Sequence, residues 1–576
     1  MSIIHKKAYL ELIYIIKFLS FKKKVILVGI IIFIIISSLV DLLSIGSVIP
    51  FISIVFEIKI INIKFFDNFS EIFKFNKSNK FFITLGFVLL VILANLFKIF
   101  TIFLLTKFSK IVASELGSRI FKNNLYCNLI EIKNKNTNQI VSVITERLDT
   151  FSSLFFDFLN SISSILLILL VIFFLLLINW EITTITFFFI LFIYIFFIFI
   201  IKNKLNRVSK ELSSLGFSRI KRIRETFGNF RQMVLDNSQN IFYNAFIKED
   251  RRFREIQFKI HFSNLFPRYV VEATLIILIT TSLYISKNYL DYQLNDIIPI
   301  ATLFVYSGQK LMPLFNNLYY SHVNLSGYSS YLSDIRNELL ATDYQSRSII
   351  ENKVETDKKI IFNKKIILEN LYFKYPNTKK VIFDKFNLEI KKGSKCALVG
   401  SSGSGKTTLL DIIIGIYEIE EGKLIIDDNL IQLSNLNSWQ KNISYVPQDI
   451  FLFDESIEKN ITLDLDSNNI NKERLIYAAK LADINDFITS LPNGFDTSIG
   501  ENGALLSGGQ KQRIGIARAL YRKKQVLILD ESTNALDVLT EKKVLQNLFN
   551  LGENITIIHV THRTNDDIQY NQIINL

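Results

Sequence analysis

The string CALVGSSGSGKTTLLDII, residues 396–413, carries the spacing needed to hold a chain of phosphates. An apolar run, Ala397 to Val399, reads as a strand; Gly400, four residues, Gly405, Lys406 and Thr407 follow, and then an apolar pattern of helical period. Glycines let backbone N–H groups approach phosphate oxygens, and a helix N-terminus adds positive potential. The residues expected to hold the nucleotide are therefore Gly400, Ser401, Ser402, Gly403, Ser404, Gly405, Lys406, Thr407 and Thr408. Lys406 would neutralise the outer phosphates and the Thr407 hydroxyl would take Mg²⁺. Further on, QVLILDE is a run of consecutive apolar residues that ends in Asp530 and Glu531. Such a run suits a strand buried on both faces of a parallel sheet, and ligands of these sheets sit beyond the carboxyl ends of the strands. Asp530 is expected to hold Mg²⁺ directly or through water, and Glu531 to polarise an attacking water. A third string, LSGGQKQR from Leu506 to Arg513, opens a helix with Ser507, Gly508, Gly509 and Gln510 and forms a second anion-binding end. One molecule cannot easily aim both ends at the same phosphate.

The elements that must carry these groups divide the chain in two. Its 576 residues are 49% hydrophobic with 51 Phe and 7 Pro, and the mean hydropathy is +0.30. These values exclude a disordered chain, a fibrous repeat and an ordinary soluble enzyme. Six apolar stretches, 25–56, 81–106, 152–179, 182–201, 269–286 and 297–314, are each near or above the ~20 residues that cross a bilayer as a helix. After about residue 340 there are no more. The expected organisation is an interfacial helix over 1–24, a six-span transmembrane domain over 25–335, a linker over 336–365 and a nucleotide-binding domain over 366–576.

Charge placement gives the orientation. The loops 106–151 and 202–267 hold 21 Lys and Arg, against 6 in the loops 57–80, 180–181 and 287–296. By the positive-inside bias the two basic loops, both termini and the nucleotide domain face the cytoplasm, with the spans in a bacterial inner membrane. The formal charge of +13 would by itself allow a nucleic-acid partner, but the excess sits in loops flanking spans, which excludes one. Cys127 and Cys396 lie far apart in different regions and are expected to remain thiols. Two amphipathic patterns are expected at the membrane surface: Tyr9, Leu12, Ile13, Ile16 and Leu19 before the first span, and an apolar stripe over 61–73 after it.

LSGGQ beside a phosphate-binding loop resembles the ABC transporters, and the resemblance covers essentially the whole chain. In that family LSGGQ closes over ATP held by the opposite subunit, so the resemblance implies a homodimer with two sandwiched ATP–Mg²⁺ sites. It further implies that Tyr375 stacks on adenine, that Gln448 senses Mg²⁺ and the attacking water, and that Glu501 lies in the loop facing the coupling helices. His562 resembles the switch histidine that contacts the γ-phosphate and Glu531. Coupling helices are expected near Cys127 to Lys135 and Gln232 to Tyr243. The loop after Glu531 reads STNALD where the family more often has ATSALD, so Asn534 departs from the pattern. The implied fold is an all-α six-helix transmembrane domain followed by an α/β P-loop nucleotide-binding domain, and the implied activity is ATP hydrolysis coupled to transport.

Ionisable residues inside apolar spans cost ~2.5 to 3.5 kcal/mol at the bilayer centre and ask for a reason. Here they are Asp41, Lys98, Asp157, Glu272 and Lys310, with Arg268 at the mouth of the fifth span. One account is snorkelling and internal ion pairs, such as a basic side chain with Asp41 or Glu272. In the other, Lys98, Arg268 and Lys310 line a cavity that attracts an anionic headgroup. SIGSVIPFISIVF, NLFKIF, FPRYVVE, FVYSGQKLMP and LSGYSSYL resemble the PglK-type flippases of lipid-linked oligosaccharides, which implies a lipid-linked anionic glycan as cargo. Export of another lipid of the lipid A-core type, of a peptide or of a hydrophobic small molecule stays open, as does an ATP-gated channel or a non-transporting regulator.

Overall fold

The computed structural model describes residues 3–48, 51, 80–127, 135–178, 180–289, 294–340, 360–375, 378, 380–464, 470–561 and 569–576. The chain forms two compact units, one of Met1–Cys127 and Glu131–Ser346, the other containing Arg347–Leu576. The stripe expected over 61–73 and His562 lie outside the described residues, as do residues 128–134 of the first expected coupling helix.

In the first unit, helices cover the described part of every expected span: Phe21–Gly46, Lys80–Leu125, Leu148–Ile178, Trp180–Gly228, Gln239–Tyr289 and Leu294–Gly327. Among the described residues, four windows are long and apolar enough to cross a membrane: Phe21–Gly46, Thr84–Leu125, Thr137–Ile178 and Trp180–Ile201. The apolar side chains sort by what they touch. Ile45, Leu167, Val171, Leu303 and Tyr319 are buried between helices, whereas Phe82, Phe173, Phe188, Phe192 and Phe199 point outward. An outward aromatic surface of this kind suits lipid, where the helix satisfies its own backbone. Three helices, Lys80–Leu125, Trp180–Gly228 and Gln239–Tyr289, run for 46, 49 and 51 residues. At 1.5 Å per residue they reach about 70 Å or more, over twice the hydrocarbon thickness, so each continues well past its apolar part.

The N-terminal helix Ile3–Lys17 buries a face that overlaps the expected stripe at Leu12 and adds Ala8 and Ile15. Ala8, Leu12, Ile15 and Leu19 are buried against Leu332, Ile335 and Leu339, while Ile13 is exposed and Tyr9 and Ile16 are half-buried. The buried Glu11 accepts a hydrogen bond from Arg336 at 2.7 Å. Within the Thr137–Ile178 stretch, a π-helical turn, Val143–Arg147, leads into Leu148–Ile178. The extra residue turns Arg147 into the bundle. There its guanidinium pairs with Asp334, donates to Ser213 and stacks 3.7 Å from the Phe217 ring centroid.

The second unit is built on two sheets. β1 (Lys365–Lys374), β2 (Val381–Lys391), β4 (Glu421–Ile426) and β5 (Asn429–Leu430) make an antiparallel sheet ordered β2-β1-β4-β5. β3 (Lys395–Val399), β6 (Ile443–Val446), β7 (Val526–Asp530), β8 (Thr556–Thr561) and β9 (Gln572–Asn575) make a parallel sheet ordered β6-β7-β8-β3-β9. Every residue of β7 and β8 is buried, as the uninterrupted apolar runs require of strands covered on both faces. One core joins Leu398, Leu409 and Ile528 to Leu368, Phe373 and Leu424 of the antiparallel sheet and already includes Ile360 and Phe362. A second lies under the helix Gly508–Tyr521. Neither cysteine is in a disulfide, and burial pushes the Cys396 thiol up from its ordinary pKa.

Candidate functional site

Because the second sheet is parallel, β3, β6, β7 and β8 end on one edge, and the loops that leave them meet there. The loop after β3 wraps back into the helix Lys406–Ile414. Two glycines make this possible: Gly403 and Gly405 have φ of 81° and 103°, conformations that cost little only without a Cβ. Ser401, Ser402, Gly403 and Thr407 are exposed on this edge, whereas Lys406 and Thr408 are buried. The Lys406 ammonium is held over the loop by the carbonyls of Gly400 at 2.9 Å and Ser401 at 3.1 Å. The Tyr375 hydroxyl lies 2.7 Å from the Thr408 hydroxyl, and its ring stands edge-on to Phe373 and Tyr417. Sequence had suggested only a face for a base; the structure also ties this tyrosine to the phosphate-loop helix.

Asp530 and Glu531 arrive at the end of β7 beside that loop. Asp530 is buried and accepts a hydrogen bond from the Tyr445 hydroxyl of β6 at 2.9 Å. Burial pushes its carboxyl up from the ordinary value; Glu531 and Asp411 act in the same direction, while Tyr445 and Lys406 oppose. Glu531 has φ of 47°, a left-handed backbone rarely taken by a residue with a side chain. Its Oε2 accepts from Gln448 Nε2 at 3.1 Å and from Asn534 Nδ2 at 3.2 Å. The Thr407 hydroxyl, the Asp530 carboxylate and the Gln448 amide oxygen are hard oxygen donors, and the crowded acids favour a nearby cation, so this set fits Mg²⁺.

Ser507 caps the helix Gly508–Tyr521 in a capping box: its hydroxyl accepts from Gln510 N–H at 3.3 Å, and its own N–H donates to Gln510 Oε1 at 2.8 Å. Gly508 and Gly509 let that helix approach the turn after β7, for a Cβ on Gly509 would come 3.1 Å from the Ala535 carbonyl oxygen. Gln512 accepts from Ala535 N–H at 2.9 Å. Thr533 donates to Glu541 at 2.7 Å and also contacts His559 Nε2 at 3.2 Å. His559 Nδ1 lies 2.7 Å from the Tyr570 hydroxyl. Since Thr533 gives its hydrogen to Glu541, it accepts from Nε2–H, and Nδ1 accepts from Tyr570. Sequence reasoning had not found Tyr445, Gln512 or this chain through His559. Alternation along β6 was a signal for Tyr445; His559 had none.

In the membrane unit, the buried Asp41 lies within electrostatic reach of both Lys98 and Lys310. Arg268 is exposed and interacts with Tyr194. Two of the three basic residues singled out in the sequence, Lys98 and Lys310, thus share Asp41 as a counter-ion. Asp157 accepts from Asn324 at 2.9 Å, and Asn324 in turn accepts from Asn264 at 2.8 Å, which joins three helices.

Residues 27–313 match the family described as the ABC transporter transmembrane region, and residues 383–534 the family described as ABC transporter, whose domain binds ATP with Mg²⁺. The ATP-dependent lipid A-core flippase of Shewanella frigidimarina is 42% identical over 200 residues, which is 34% of this chain and 33% of that one. ABC transporter B family member 28 of Arabidopsis thaliana is 39% identical over 209 residues, 36% of this chain and 29% of that one. The matched part thus spans about a third of the length of these curated relatives. The solved structure of a bacterial Atm1-family ABC exporter with ATP bound superposes with a TM-score of 0.74 at 21% identity, covering 96% of this chain and 93% of that one. With a helical membrane region matched in one half and an ATP-binding fold in the other, this chain belongs to the ABC transporters.

Proposed function

We propose that two copies of this chain form an ATP-driven exporter that flips a lipid-linked anionic glycan, a polyprenyl-pyrophosphate oligosaccharide, from the cytoplasmic to the outer leaflet of a bacterial inner membrane. The observation that supports an ATP-hydrolysing engine is the meeting of Gln448 with Glu531 at 3.1 Å on the sheet edge that also carries the phosphate loop. The N–H groups of Gly400–Thr408 wrap the phosphates, and Lys406 exchanges its two carbonyl partners for phosphate oxygens. Glu531 takes the proton of the attacking water, and Gln448 holds that carboxylate in place. Thr407, Asp530 and Gln448 would hold Mg²⁺, which when bound would supply positive charge to offset that of the phosphates. Ser507, Gly508, Gly509 and Gln510 of each copy cover the nucleotide of the other. Their capping box presents N–H groups at a helix start, the potential an anion needs. ATP must favour the closed dimer by several kcal/mol, since moving a two-state balance from 1:99 to 99:1 takes ~5.5 kcal/mol.

For the cargo, support comes from Lys98 and Lys310 around Asp41. This cluster has a net charge of +1 inside apolar helices, a place that favours an anionic headgroup. A lipid A-core type cargo is the second reading, favoured by the name of the Shewanella relative. The test is reconstitution in proteoliposomes with ATP and fluorescent polyprenyl-pyrophosphate glycan or lipid A-core. Neutral variants of Lys98, Arg268 and Lys310 should lose translocation while hydrolysing ATP; unaffected translocation in all three would remove the cavity reading.

A further inference from the structure

Asn534 stands on the turn after β7, and its amide reaches the carboxylate three residues back. Asn534 Nδ2 donates to Glu531 Oε2 at 3.2 Å, the same oxygen that accepts from Gln448 at 3.1 Å. The Asn534 backbone N–H closes the turn onto the Glu531 carbonyl at 3.3 Å. Both neighbours of Asn534 are pinned: Thr533 by Glu541 and His559, and Ala535 by Gln512. At the far end, Asp537 caps the next helix by accepting from Thr540 N–H at 3.0 Å. The side chain of Asn534 therefore starts from a fixed backbone although it is itself exposed.

Rotation about the last bond of a glutamate is broad and nearly unhindered, so backbone geometry alone does not fix which oxygen faces a substrate. Two N–H donors on one oxygen remove that freedom. Gln448 supplies one from the loop after β6, and Asn534 supplies the other from the turn that Glu531 itself begins. A serine there would end one bond nearer the backbone. We propose that Asn534 is a positioning residue for ATP hydrolysis, holding the Glu531 carboxylate through its amide N–H. This rests on the reading of Glu531 as the residue that takes the proton from water.

The test uses the purified full-length protein and the variants Asn534→Ala, Asn534→Asp, Glu531→Gln and the double variant Glu531→Gln/Asn534→Ala. Asn534→Ala should lower kcat roughly tenfold with KM for ATP within about twofold, the size of one hydrogen bond to a charged group. Asn534→Asp keeps the shape but removes the donor and sets a second carboxylate beside Glu531, so its kcat should fall at least as far. In the Glu531→Gln background, adding Asn534→Ala should leave ATP affinity and the ATP-held dimer unchanged. Wild-type kcat in either Asn534 variant, with Glu531→Gln inactive, overturns the inference alone. A weaker ATP-held dimer in the double variant also overturns it, because Asn534 would then act at the contact between copies. If Glu531→Gln itself turns over ATP at full rate, the hydrolytic reading falls and takes this inference with it.

Discussion

Tyr445 and Asp530, on neighbouring strands of the parallel sheet, are joined by a 2.9 Å hydrogen bond from phenol to carboxylate. The bond satisfies one oxygen of an acid that burial and two nearby acids, Glu531 and Asp411, otherwise make costly to ionise.

Tyr445→Phe removes that donor without changing shape. The loss of a hydrogen bond to a charged group, about 1.5 to 3 kcal/mol, falls on the ionised form that binds a cation. The Mg²⁺ concentration for half-maximal ATPase activity should rise at least severalfold; a magnesium titration at fixed ATP measures it. An unchanged midpoint would separate Asp530 from Mg²⁺ binding.

Burial lowers the His559 imidazole from 6.5 to about 4. A depressed histidine is neutral in the fold, so between these values the unfolded chain binds the extra proton. Stability is fully present above about pH 6.5 and declines as pH falls toward 4, by about 3 kcal/mol if nothing relaxes. Thermal melts of wild type and His559→Leu across pH 4 to 7 should show a shallower acid slope in the variant, which is less stable at pH 7 because Thr533 and Tyr570 lose a partner.

Asp334→Ala leaves the buried Arg147 guanidinium without its carboxylate. Stripping one partner from a buried pair costs about 3 to 5 kcal/mol, so the melting temperature of the detergent-solubilised protein should fall by several degrees. Arg147→Lys should also destabilise, because an ammonium cannot reproduce both the Ser213 contacts and the stacking on Phe217.

Asp41→Asn removes the counter-ion of Lys98 and Lys310 and leaves two like charges in a buried setting. Thermal stability should drop, and a second change, Lys310→Met, should recover part of the loss. Independent, additive effects of the two changes would show that the residues do not interact.

The phosphate loop was legible in the sequence because its glycines fall where the backbone takes positive φ, at Gly403 and Gly405. β7 was legible because burial on both faces leaves an unbroken apolar run. The contacts that organise the site were not. Tyr445 meets Asp530 only through strand register, and His559 reaches Thr533 and Tyr570 only once the strands pack. The buried face of the N-terminal helix was legible only in part, for a physical reason. Ile13 and Ile15 are equally apolar, and where both neighbouring helices and an apolar exterior attract aliphatic side chains, periodicity does not choose between them. The ionisable residues of the spans were visible one by one, but the grouping of Lys98 and Lys310 about Asp41 depends on how the helices are arranged.

The three longest helices act as levers. A rod of about 70 Å that tilts by only about 5° carries its far tip through roughly 6 Å, enough to part or close a seam of side chains at the other end. Small rearrangements at one extremity of Lys80–Leu125, Trp180–Gly228 or Gln239–Tyr289 are thereby magnified over distance; of the three, Gln239–Tyr289 has its shaft interrupted by a proline, Pro267.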